Sequence, residues 1–134
     1  MIKLFIKNKL SIITALAIFY LSFARADTFD KVDVFNFPHI DKVVHFCMYF
    51  GLMLMLQLEN NIYAKKIRNL IILSLISLLY GIAVEFCQSW FTTTRHGDFF
   101  DAVFDFLGIL GAIGAWKLYI RFLTKRTHKS DNLS

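Results

Sequence analysis

Residues 69–90 form an apolar run long enough to cross a bilayer, and near its end stand a carboxylate, Glu85, and an amide, Gln88. About 20 mostly apolar residues suffice to span the hydrocarbon core, and there only a helix satisfies its own backbone. Glu85 costs such a helix roughly 3 kcal/mol at the bilayer centre and less toward an interface. Some interaction must offset that cost, so an ionisable group here marks a site. Its candidate partners follow directly, in Arg95-His96-Gly97-Asp98-Phe99-Phe100-Asp101.

The rest of the chain repeats the pattern. Apolar segments predict four spans, at residues 4–24, 43–58, 69–90 and 102–123. The second span is the shortest, and it reaches full length only if Asp41, Lys42 and Glu59 lie among the headgroups. The expected fold is all-α, a small polytopic membrane helix bundle with four transmembrane helices, filling residues 1–134 as one domain. Composition agrees: 57% of residues are hydrophobic, 19% are charged and the mean hydropathy is +0.54, whereas soluble domains are about half apolar and a quarter charged. The fifteen Phe suit a lipid-facing surface. Cys47 and Cys87 lie in apolar segments without zinc spacing and read as packed or lipid-facing thiols. Residues 128–134 read as a disordered tail.

The net charge of +5 does not point to nucleic acid, because the basic residues sit at the ends of apolar segments, where orientation signals belong. Lys3, Lys7, Lys9, Lys65, Lys66, Arg68, Lys117, Arg121, Lys125, Arg126 and Lys129 fall on one side, against Arg25, Lys31, Lys42 and Arg95 on the other. That eleven-to-four bias places both termini in the cytoplasm. The first span also has the grammar of a signal peptide, with a basic start and Ala24-Arg25-Ala26 before Asp27. Retention of the span is the expectation, and the later topology is the same either way.

Helical spacing groups the polar residues. Asp41 and His45, at i and i+4, share a face at the outer end of span two, and Tyr49 continues it. Glu85 and Gln88 occupy the outer end of span three, with Gly81 one turn deeper. Asp98, Asp101 and Asp105 open span four, and Arg95 can reach any of them. Plainer roles exist for each: Asp41 and Asp98 as helix-start charges, His45 as a core residue, Glu85 and Arg95 as an ion pair. The stripe of Gly108, Gly111, Ala112, Gly114 and Ala115 reads as helix packing. Caps do not call for Glu85, Gln88 and Asp105 within the membrane. The candidate pocket is therefore Asp41, His45, Glu85, Gln88, Arg95, Asp98, Asp101 and Asp105.

This ordered pattern resembles the VanZ-like membrane proteins. The resemblance rests on Asp41-Lys42-x-x-His45-Phe46-x-x-Tyr49-Phe50, on Glu85-x-x-Gln88, on Arg95-x-x-Asp98-x-x-Asp101 and on Gly108, over residues 38–114. It departs at Asp105, where the family usually has Asn. It implies a multi-pass protein of the bacterial cytoplasmic membrane, in a family whose named member is associated with resistance to teicoplanin, a glycopeptide that binds cell-wall precursors.

Two functional expectations follow. In the first, the outward pocket binds a polar or amphiphilic envelope component: a membrane lipid, a lipid-linked wall precursor or a glycopeptide. Arg95 would pair with its phosphate or carboxylate. In the second, the chain is a membrane enzyme acting on a lipid or wall precursor, its clustered carboxylates and His45 holding a divalent metal or supplying acid and base. The group could also serve as helix glue. No stretch has the spacing of a known metal motif, so no metal or cofactor is expected.

Overall fold

The computed structural model describes residues 7–28, 40–91 and 99–131. The described elements are helices: α1 (Lys9–Thr28), α2 (Ile40–Glu59), the one-turn α3 (Asn61–Ala64), α4 (Ile67–Phe91) and α5 (Phe99–Asp131). Three segments are long and apolar enough to cross a membrane: Ile40–Glu59, Ile67–Phe91 and Phe99–Lys125, of 20, 25 and 27 residues. At 1.5 Å per residue, the shortest reaches about 30 Å, the thickness of the hydrocarbon core. In α1 the apolar stretch is shorter, Lys9–Phe23.

Helix boundaries follow local chemistry. α2 starts at Ile40, so Asp41 lies in its first turn, where a negative charge meets the positive end of the helix dipole. The expected tail needs correction: α5 runs on to Asp131. No Gly or Pro interrupts residues 115–131, and the basic residues there suit a helix C-terminus. Hydroxyls inside apolar helices bond back onto their own helix. Thr14, Ser74 and Thr124 each donate to the carbonyl four residues earlier, at 2.8–2.9 Å.

Side-chain contacts set the directions. At its start α1 is capped by the end of α2: the Glu59 carboxylate accepts from the backbone N–H of Leu10 and Ser11 at 2.7 and 2.9 Å, and from the Ser11 hydroxyl at 2.5 Å. This satisfies helix-start donors that otherwise lack partners. Alongside, Asn60 Nδ2 donates to Asn8 Oδ1 at 2.7 Å. α1 and α2 are therefore antiparallel. α1 and α4 are parallel, because Tyr80 Oη donates to the Ala15 carbonyl at 2.5 Å and Gln88 Nε2 to the Ser22 carbonyl at 2.7 Å.

The closest pair is α2 and α5, which run side by side. A Cβ on Gly108 would fall on the Phe46 carbonyl oxygen and 2.9 Å from the Phe50 nitrogen, so the two backbones meet there. Gly111 faces the Phe46 and Phe50 rings, and Ala112 is fully buried. Gly114, expected in the same packing stripe, has open space where its Cβ would sit, with no atom within 4 Å; it points away from the contact. Ile18, Tyr49, Leu52, Met53, Leu73, Ile109 and Trp116 form the core. Leu79, Phe86, Phe106, Leu118 and Phe122 are exposed on the outside, a surface that suits lipid and not water. Cys47 and Cys87 are free thiols.

Candidate functional site

One end of the bundle, where α2 and α5 begin and α4 finishes, gathers the ionisable groups. The fourfold spacing of Asp41, His45 and Tyr49 puts them on the face of α2 that α4 and α5 cover. His45 and Tyr49 are 2% and 1% exposed. On α5, Asp101 and Asp105 are likewise four apart and buried, at 6% and 1%. Such burial of polar groups requires partners.

Those partners centre on His45. Its Nδ1 lies 3.0 Å from Asp105 Oδ1 and 3.7 Å from Glu85 Oε1, and its Nε2 lies 3.9 Å from Asp101 Oδ2. Three helices thus converge on one imidazole. Asp41 completes the front of the group: ligand atoms of Asp41, His45 and Asp101 all lie within 4.8 Å of one another. Lys42 Nζ is 3.9 Å from Asp101 Oδ1 and 5.5 Å from the centre of the Phe100 ring, positions that suit charge attraction and a cation–π contact.

Small residues make this convergence possible. A Cβ on Gly81 would sit 2.9 Å from Asp105 Oδ2 and 3.1 Å from the Tyr49 ring. Without that side chain, the Asp105 carboxylate and the Tyr49 ring edge press against the α4 backbone. Gly108, one turn beyond Asp105, brings α5 close enough to α2 for Asp105 to meet His45.

Among the eight expected pocket residues, Asp41, His45, Glu85, Asp101 and Asp105 come together. Gln88 turns to α1, where it bonds the Ser22 carbonyl. Arg95 and Asp98 lie outside the described residues. Glu85, a candidate counter-charge of Arg95 by sequence, stands beside His45. Lys42 counts in the sequence only as an orientation charge, yet it adjoins Asp101; its signal is its place next to Asp41 in a helix-start turn. Chemically, the group offers hydrogen-bond acceptors, an imidazole and the Lys42 ammonium. It can hold a cation, or a ligand rich in hydroxyl and amide groups.

The family model described as VanZ/LLP1 matches residues 3–121, from before α1 to the last third of α5. The chain belongs to the VanZ/LLP1 family. The match takes in every residue of the His45 group and reaches beyond residues 38–114 on both sides, so the VanZ/LLP1 region includes the N-terminal helix. Together with three membrane-length helices, it makes the chain a VanZ-like membrane protein. No curated protein and no solved structure matches it.

Proposed function

We propose that this VanZ/LLP1 protein sits in the bacterial cytoplasmic membrane with four spans and both termini inside, and binds a polar or amphiphilic envelope component from the outer face. The observation that carries the reading is the burial of Asp101, Asp105 and His45, with Glu85 beside them, at one end of three membrane-length helices. Ionisable groups are costly at such positions and are typically retained for function. By the positive-inside count, that end faces outward. Family membership supports the envelope setting, and with it an effect on teicoplanin-type glycopeptides. Arg95 and Asp98 belong to the proposed pocket, and Arg95 would pair with a phosphate or carboxylate of the ligand.

A separate cavity lies in the other half of the bundle, toward Glu59 and the start of α1. This apolar cavity of about 560 Å³ opens between α1, α2 and α4, lined by Ile12, Leu52, Leu56, Ile72, Ile76 and Tyr80. It is of the size that accommodates small ligands.

The test compares protein level with phenotype in the same cells. Glu85→Gln and Asp101→Asn are expected to leave the membrane level near wild type while abolishing the change in glycopeptide susceptibility that the wild type confers. Loss of phenotype only in step with loss of protein would assign the group to helix packing. Full phenotype at normal level in both variants would remove the pocket from the explanation.

A further inference from the structure

The spacing of polar residues along any one helix shows no metal motif, but the fold brings ligand atoms together from two helices. Asp41 and His45 come from successive turns of α2, and Asp101 comes from the start of α5. Their ligand atoms lie within 4.8 Å of one another. We propose that Asp41, His45 Nε2 and Asp101 bind a divalent first-row metal ion of the zinc or manganese kind, with Asp105 orienting the imidazole from behind.

The two ring nitrogens of His45 have different surroundings. Nδ1 is taken by Asp105 Oδ1 at 3.0 Å. A carboxylate on one nitrogen of a metal-binding histidine is a recurring arrangement, because it fixes both ring orientation and tautomer and raises the basicity of the other nitrogen. In the neutral tautomer that donates from Nδ1 to Asp105, the lone pair falls on Nε2. Among the described residues Nε2 makes no hydrogen bond, although His45 is only 2% exposed; it is aimed instead at Asp101 Oδ2, 3.9 Å away. In that tautomer a lone pair faces the Asp101 carboxylate, and a cation between them would join the two.

Distances favour a metal ion over direct contact. Donor atoms that share an ion at about 2.0–2.2 Å stand roughly 3–4 Å apart. The 3.9 Å between Nε2 and Oδ2 falls in that range and is too long for a hydrogen bond. Two carboxylates and one imidazole select the ion class. Imidazole suits zinc, iron and their neighbours, whereas carboxylates suit manganese, magnesium and calcium. A mixed set excludes a dedicated calcium cage, which is built from oxygens alone. Three protein ligands leave coordination positions for water or for an oxygen of a ligand arriving at the rim.

The charges agree. Asp41 and Asp101 present carboxylate oxygens beside His45, a donor set whose negative charge suits a dication. Lys42 does not compete for the position: it approaches the other oxygen of Asp101, Oδ1. This inference goes beyond the binding reading above, since it concerns the metal alone and holds whichever envelope component binds.

The test uses the full-length protein in detergent micelles, stripped with chelator. Mn²⁺ is followed by electron paramagnetic resonance and Zn²⁺ by calorimetry, with no other ligand present. One saturable equivalent per chain is expected for at least one of the two ions. Asp41→Asn and Asp101→Asn should abolish it, while Asp105→Asn should weaken it about 10–100-fold, as loss of an outer-shell carboxylate does. Circular dichroism and gel filtration establish that each variant is folded. Should Asp101→Asn fail to fold, Asp41→Asn, at the half-buried edge of the group, decides alone. No saturable binding of either ion to folded wild type would overturn the proposal. So would binding that survives unchanged in folded Asp41→Asn. Metal binding without any glycopeptide phenotype would uphold this site and count against the envelope-binding reading only.

Discussion

Gly81 of α4 faces Asp105 of α5 so closely that a Cβ at position 81 would lie 2.9 Å from Asp105 Oδ2. The carboxylate is trapped between the α4 backbone and His45, and that close approach ranks the glycines. Gly108→Ala drives a methyl into the backbone of α2 at Phe46 and Phe50, which cannot yield unless the helices part. Overpacking typically costs about 1–3 kcal/mol, and this case should reach the upper end or beyond. Gly81→Ala meets side-chain atoms, which can shift, and should cost less while disturbing the His45–Asp105 contact. Gly114→Ala meets open space and should be neutral or stabilising by up to ~1 kcal/mol through helix propensity. Thermal unfolding in one detergent should show the order 108, then 81, then 114. Equal losses at all three would contradict the packing described.

The His45–Asp105 pair makes a second prediction. Removing one partner strands the other's polar group in an apolar setting, and a buried group left unsatisfied costs about 1–3 kcal/mol, more where it is charged. Asp105→Ala and His45→Ala should each be strongly destabilising, and the double variant should lose much less than the two combined. Asp105→Asn keeps an oxygen that accepts from Nδ1 and should fold nearly normally. A double-mutant cycle by chemical denaturation measures the coupling. Additive losses would mean that the contact contributes nothing of its own.

Orientation gives a third prediction. With Cys47 and Cys87 replaced, a cysteine introduced by Asp33→Cys should react with an impermeant thiol reagent in intact cells. Lys66→Cys and Lys129→Cys should react only after permeabilisation. Labelling of position 66 in intact cells would reverse the topology and put the His45 group in the cytoplasm.

Much of the architecture is legible in the chain. Apolar runs of membrane length mark the helices, because a backbone in lipid has few other ways to satisfy its hydrogen bonds. Fourfold spacing places Asp41 with His45, and Asp101 with Asp105, since residues four apart share a helix face. The tail reads as disordered because its residues are polar, and composition does not reveal that α5 continues as far as Asp131. The stripe of small residues is recognisable, but it does not show that Gly108 meets a neighbouring backbone while Gly114 does not.

What the sequence determined by itself was the presence of the long apolar helices, the level of the polar residues along them and the charge bias between their ends. Tertiary structure alone decided which polar residues meet. Glu85 and Gln88 share a turn of α4, yet three residues of helix leave them about 60° apart in direction. One faces His45 of α2 and the other the Ser22 carbonyl of α1. Helical periodicity sets relative angles within a helix, but the neighbour at each angle depends on how the helices pack. Here the contact of α5 with α2 at Gly108 sets that arrangement and brings Asp105 to His45.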